Sequence, residues 1–210
     1  MTDFVCVDGY SIRLDVLPSE PLVVDIGARF GEFTWPFLKR CGGKILCYEP
    51  DPTARDRFFR NMRENGFDNK QVQYMDRAVW DIEGCIELNG DGTAGVGASS
   101  ILSKRTRAPA EKFYRVLAIT INNVVSKLEV VDVLKMDVEG AEFRIFDSMT
   151  EETCSKVKQI TAEIHWDYSN KWNKERLQAL MESKGYIWDE VKKNGIHSIV
   201  WMGRKDVFSE

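Results

Sequence analysis

Two clusters of residues carry the chemistry open to this chain. The first is Asp25-Ile26-Gly27-Ala28-Arg29-Phe30-Gly31, with Glu49-Pro50 following 24 residues after Asp25. Glycine at such a turn admits backbone angles that other residues resist and lets a ligand approach the main chain closely. An acid at the end of the next strand hydrogen-bonds ribose hydroxyls in doubly wound folds. The glycine spacing selects among ligands. A dinucleotide site uses Gly-x-Gly-x-x-Gly, with helix N–H groups on a pyrophosphate. Here the pattern is Asp-x-Gly-x-x-x-Gly. A carboxylate facing that pocket repels a pyrophosphate and suits a ligand with ammonium or sulfonium charge. S-Adenosylmethionine has both charges and a ribose for Glu49. The plainer alternative is a tight βα turn that binds nothing.

The second cluster is Lys135-Met136-Asp137-Val138-Glu139-Gly140-Ala141-Glu142, together with Glu163 and His165. Lys135 and Asp137 share one face of a strand by period-two alternation. An unperturbed imidazole titrates near pH ~6.5, which makes His165 a candidate general base for a hydroxyl nucleophile. Asp137 can orient an acceptor or take its proton, and Lys135 can lower the pKa of a neighbour. Glu139 stands beside them, whereas Glu142 reads as a first-turn acid that complements the helix dipole. This assignment contains no metal. Asp137, Glu139, Glu163 and His165 offer the alternative of a hard divalent cation that acidifies a coordinated hydroxyl. His165 has its own plainer reading, as a packed or surface residue.

These residues need a scaffold that brings strand ends together. Apolar, β-branched runs at Leu22–Ile26, Lys44–Glu49, Gln71–Met75, Val131–Asp137 and Val157–His165 read as strands. Helices are expected at Glu32–Arg40, where Pro36 must either sit in the first turn or kink the helix, and at Pro52–Asn65, Ala141–Met149 and Lys174–Lys184. Tyr186–Glu190 and His197–Met202 read as a terminal antiparallel pair. Strands alternating with helices imply βαβ crossovers and a parallel sheet covered on both faces. The fold class is α/β, doubly wound, with one antiparallel strand at the far edge. Residues 81–120 break the rhythm: Cys85–Leu88 and Phe113–Ile119 read as a hairpin around a Gly-rich loop, Asn89–Ser100.

Composition bounds the rest. The 210 residues fit one domain, and 43% hydrophobic content supports a substantial core. With 29 Lys+Arg against 33 Asp+Glu, the net charge of −4 argues against a nucleic-acid partner. No stretch is long and apolar enough to span a bilayer, and the first residues do not read as a secretory signal. Five cysteines, odd in number and without a Cys-x-x-Cys pair, suit reduced thiols in the cytoplasm.

Val24-Asp25-Ile26-Gly27-Ala28-Arg29-Phe30-Gly31, Tyr48-Glu49-Pro50, Leu134 to Glu142 and Glu163-Ile164-His165 together resemble the FkbM family of S-adenosylmethionine-dependent methyltransferases. The likeness spans about residues 22 to 165. It implies a seven-stranded, Rossmann-like class I methyltransferase fold and methyl transfer to oxygen, often on a carbohydrate or polyketide hydroxyl. One departure is Arg29, where the family usually has Asn; Ser99-Ser100 correspond loosely to a family serine. The cofactor set expected is Asp25, Gly27, Ala28, Gly31, Glu49, Pro50, Asp76, Ala78 and Asp137, with Asp76 either accepting from the adenine amino group or simply a polar strand end. The catalytic set is His165, Asp137, Lys135 and Glu139. Three parts follow: a cofactor half at about 20–80, an irregular insertion at about 81–120 and an acceptor-side half at about 121–210.

The acceptor expected is a small molecule or carbohydrate. The basic stretch at 103–115 is either a solvated loop or a lid for an anionic acceptor. Trp166, Tyr168 and Trp172 are either packing or a stacking surface for a sugar. Competing functions are a non-catalytic cofactor-binding scaffold and a nicotinamide-dependent oxidoreductase. The missing third glycine and Asp25 count against the latter.

Overall fold

The computed structural model describes residues 4–90, 112–165, 173–194 and 197–208. The Gly-rich loop beyond residue 90, the basic stretch up to residue 111, and Trp166, Tyr168 and Trp172 lie outside the described residues. The chain opens with a hairpin, β1 (Phe4–Val7) and β2 (Tyr10–Arg13). There follow β3 (Leu22–Ile26), α1 (Thr34–Cys41), β4 (Lys44–Tyr48), α2 (Arg55–Glu64) and β5 (Val72–Met75). The insertion contributes β6 (Arg77–Trp80), β7 (Gly84–Gly90) and β8 (Lys112–Thr120). The remainder comprises α3 (Ile121–Ser126), β9 (Val131–Met136), α4 (Glu142–Ser148), α5 (Glu151–Lys156), β10 (Val157–His165), α6 (Lys174–Ser183), β11 (Tyr186–Asn194), β12 (His197–Arg204) and α7 (Lys205–Phe208).

Seven strands form the main sheet in the order β11-β12-β10-β9-β3-β4-β5. From β3 the chain winds outward to β4 and β5, then returns to β9 on the other side. The junction of β3 and β9 is therefore the point of reversed winding, beside which open α/β sheets bind ligands at their strand carboxyl ends. β5, β4, β3, β9 and β10 pair in parallel. The expected antiparallel strand is present but not at the edge. β12 runs against both β10 and β11, and β11 takes the edge. The crossover through α6 carries β11 past the vacant position beside β10, and the tight hairpin folds β12 back into it.

Alternating side chains supply both faces. Val23, Ile45 and Val133 point into a core that includes Phe33, Phe37 and Phe58. Val24, Leu134 and Met136 point into another with Ile145, Phe146 and Ile160. All six residues of β9 are buried, as a central parallel strand covered on both sides requires. Pro36 stands third in α1, within the first turn, where its missing N–H costs no helical bond. In the insertion, β7 pairs antiparallel with β8 as expected, and β6 adds in parallel to make a separate three-stranded sheet. No helix among the described residues is long and apolar enough to cross a membrane.

Candidate active site

At the carboxyl ends of β3, β4 and β9 lies a cleft lined by Gly27, Ala28, Glu49, Pro50, Asp137 and Glu139, among others. Its floor is set by Gly27, at φ +76°, where a Cβ would fall 1.7 Å from the carbonyl oxygen of Asp137. The Asp137 amide donates to Ile26 O at 3.0 Å, so the two strand ends meet backbone to backbone. Only glycine allows that approach.

Asp25 and Lys135, opposite one another in the β3–β9 register, lie beneath this turn. Lys135 Nζ lies 3.1 Å from Asp25 Oδ1 and donates to Gly27 O at 2.8 Å; Thr34 Oγ1 donates to Asp25 Oδ2 at 2.7 Å. Burial works against the Lys135 charge, but the carboxylates of Asp25 and Asp137 outweigh it and hold the ammonium above its ordinary pKa. This corrects the expectation for Asp25. Its carboxylate is fully buried, is taken up by Thr34 and Lys135, and does not line the cleft. Lys135 does line it, but its amine is committed to Asp25 and the turn.

Glu49, buried at the end of β4, accepts from the amide of Arg29 through Oε2 and from that of Asp51 through Oε1, both at 2.8 Å. Burial raises its carboxyl to about 7 against the pull of those two amides. Ala78 of β6 and Leu88 of β7 close the cleft from the second sheet. Arg29 has left-handed backbone (φ 46°), and its exposed guanidinium lies 4.9 Å from the Phe30 ring centre. Asn tolerates that conformation better than Arg does. Two residues expected at the cofactor are placed elsewhere. Gly31 is a packing glycine whose Cβ would meet Met62 Cε at 2.4 Å, and Asp76 is exposed and paired with Arg55. Neither lines the cleft.

On the acceptor side, Asp137 Oδ2 accepts from the Tyr10 hydroxyl at 2.9 Å, and Oδ1 has no hydrogen-bond partner among the described residues. Burial, opposed by Lys135 and reinforced by Glu139, raises the Asp137 carboxyl to about 6. His165 differs from expectation. Its Nδ1 lies 2.9 Å from Glu142 Oε1, its Nε2 lies 3.2 Å from Glu139 Oε2, and it does not line the cleft. Burial alone would lower its pKa, but hydrogen bonds to Glu139 and Glu142 raise it to about 11. Both ring nitrogens face carboxylates and neither is presented to the cleft, so this geometry does not make it a general base for a hydroxyl bound there. Glu142 is more than a dipole partner, since it also accepts the amides of Val138 and Gly140.

Sequence reading missed Tyr10 and Asp8, which the β1–β2 hairpin brings to the cleft. A signal was available. Asp8-Gly9 between alternating residues, with φ of 48° and 87°, is the pattern of a tight hairpin turn. Gln159 seats the hairpin, accepting the Arg13 amide and donating to its carbonyl, each at 3.0 Å. His197, opposite His165, was also missed.

Comparison with known proteins finds methyltransferases both by sequence and by fold. Methyltransferase sdnD of Sordaria araneosa is 28% identical over 199 residues, covering 81% of this chain and 75% of that protein. The 2-O-methyltransferase NoeI of Sinorhizobium fredii is 29% identical over 161 residues, covering 69% and 63%. The crystal structure of methyltransferase FkbM from Methylobacillus flagellatus shares the fold with a TM-score of 0.62 at 12% identity; the match covers 94% of this chain and about half (48%) of that one. Magnesium protoporphyrin IX methyltransferase ChlM of Synechocystis, solved with S-adenosylmethionine bound, has a TM-score of 0.51 at 11% identity, over 90% of this chain and 72% of that one. The methyltransferase FkbM domain matches residues 25–188, from the buried acid of β3 to the third residue of β11, and on that match the chain belongs to the FkbM methyltransferase family.

Proposed function

We propose that the chain is an S-adenosylmethionine-dependent O-methyltransferase acting on a hydroxyl of a small-molecule or carbohydrate-like acceptor, with residues 1–210 forming one domain. The observation that carries this reading is the acid-rich lining of a cleft built on a glycine turn. Asp8, Glu32, Glu49, Asp51, Asp137 and Glu139 meet there against Arg29 and Lys135. That balance suits a ligand with sulfonium and ammonium charge and opposes a pyrophosphate, which counts against a nicotinamide cofactor. NoeI, a 2-O-methyltransferase by name, supports oxygen as the accepting atom. The five free cysteines suit a cytoplasmic setting.

The residues fit this cofactor. When bound, S-adenosylmethionine supplies an electrophilic methyl group on a positively charged sulfur. Gly27 and Ala28 offer main chain without side-chain bulk, and Glu49 accepts from ribose hydroxyls. Pro50 and Ala78 provide apolar wall on either side. Lys135 fixes the turn through the Gly27 carbonyl and leaves the ligand to other groups. Asp137 orients the acceptor and takes its proton, with Tyr10 holding Oδ2 so that Oδ1 faces the hydroxyl. Transfer is an in-line displacement, so holding the reacting atoms about 3–3.5 Å apart and collinear supplies most of the acceleration. Label transfer from methyl-tritiated S-adenosylmethionine to a panel of hydroxylated glycans and small molecules tests the reading. Asp137→Asn should lower turnover by about 10²–10⁴-fold while preserving cofactor affinity. Label found only on nitrogen, or full turnover in Asp137→Asn, would overturn it.

A further inference from the structure

The rim beside the cleft carries a cluster that the proposed transfer leaves unused. His165 at the end of β10 stands opposite His197 at the start of β12, and their ring centres are 4.5 Å apart. Glu163 lies two residues before His165 on the same strand, and its Oε1 is 3.0 Å from His197 Nδ1. One ligand atom from each of Glu163, His165 and His197 falls within 4.8 Å of the others. A buried group stands behind them. Glu142 is fully buried, faces His165 Nδ1 through Oε1, and has no hydrogen-bond partner for Oε2 among the described residues. Glu139, 3.2 Å from His165 Nε2, adopts left-handed backbone (φ 55°) to reach it. A non-glycine residue holds that conformation at a cost of about 1–3 kcal/mol, and such residues concentrate at functional sites.

We propose that Glu163, His165 and His197 form a binding site for a divalent transition-metal cation of the zinc class. Two imidazoles and one carboxylate favour zinc, cobalt or iron over magnesium and calcium, which prefer oxygen ligands. Three protein ligands leave coordination positions open, as catalytic rather than structural sites do. A carboxylate on the far nitrogen of a ligating histidine fixes its tautomer and ring orientation, and Glu142 is placed to do this for His165. A cation at His165 Nε2 requires that nitrogen deprotonated, and the Glu139 carboxylate 3.2 Å away would then face the cation. In the transfer reaction the cation would take the acceptor hydroxyl as a ligand and ease loss of its proton to Asp137. That role rests on the methyltransferase reading; the site itself does not.

Cobalt(II) is the probe. The full chain, stripped with chelator, should develop visible absorption that saturates at one cobalt per chain. Zinc should displace it, and magnesium in large excess should not. His197→Ala and Glu163→Gln remove ligands that are about 31% and 29% exposed and belong to neither core cluster, so both variants should unfold close to the parent. Each should weaken cobalt binding by more than about tenfold. No saturable absorption, undiminished binding in both variants, or displacement by magnesium would each overturn the site. Calorimetry with S-adenosylmethionine on the same samples separates the two readings. Cobalt binding without cofactor binding leaves the site standing and removes the methyltransferase reading; cofactor binding without cobalt binding does the reverse.

Discussion

Replacing Gly27 with Ala tests the contact on which the cleft is built. Two costs arise. At φ +76° an L-residue loses roughly 1–2 kcal/mol relative to glycine. The added Cβ would also sit 1.7 Å from the Asp137 carbonyl oxygen, about half an ordinary van der Waals separation. Both partners are main chain at the ends of central strands, so no side chain can swing aside, and the β3 and β9 termini must part. Overpacking of that kind costs roughly 1–3 kcal/mol. Gly66→Ala supplies the control, because Gly66 shares a similar angle, φ +82°, with no atom within 4 Å of its Cβ. Urea unfolding should therefore place Gly27→Ala about 2–5 kcal/mol below the parent and Gly66→Ala only about 1–2. For a chain of this length the former lowers Tm by roughly 4–20 °C. Equal losses in the two variants would refute the backbone contact.

Three further outcomes follow from the same geometry. The Glu49 carboxyl titrates at about 7, and only its ionised form accepts two ribose hydroxyls, so S-adenosylmethionine affinity should rise roughly tenfold from pH 6 to pH 8 and level off above; calorimetry on Glu49→Gln should lose that slope, and an identical slope would assign it elsewhere. Lys135→Met leaves the buried Asp25 carboxylate without its cation and should cost about 3–5 kcal/mol in urea unfolding, much of it recovered in the Asp25→Asn/Lys135→Met double variant. A loss below about 1 kcal/mol in the single variant would contradict the ion pair. Arg29→Asn relieves left-handed backbone at the expense of a guanidinium–ring contact worth about 0.5–1 kcal/mol, so a small net gain in Tm is expected and a clear fall would show the contact dominating.

The sequence was legible where local pattern and packing agree. Val157–His165 reads as a strand because Ile160, Ala162 and Ile164 alternate with Thr161, Glu163 and His165. The meeting of the glycine turn and Glu49 in one cleft was readable because strand, turn and acid occur at intervals the fold imposes. Contacts between distant segments were not. Asp25 looks like a ligand-facing acid until the β3–β9 register sets Lys135 beside it. Glu142 looks like a dipole partner until β10 ends with His165 against its carboxylate. Tyr10 reaches Asp137 across 127 residues, and nothing local in either segment announces the other. Asp76 falls outside the cleft lining because β5 and β6 belong to different sheets, and the link between them turns its side chain out to Arg55.

The central claim is that the glycine-turn cleft binds S-adenosylmethionine, and calorimetric titration of the purified chain tests it most directly. One saturable site is expected for S-adenosylmethionine and none for NADH, with affinity at least about tenfold weaker in Glu49→Ala. Saturable binding of NADH, or affinity for S-adenosylmethionine unchanged in Glu49→Ala, would contradict it.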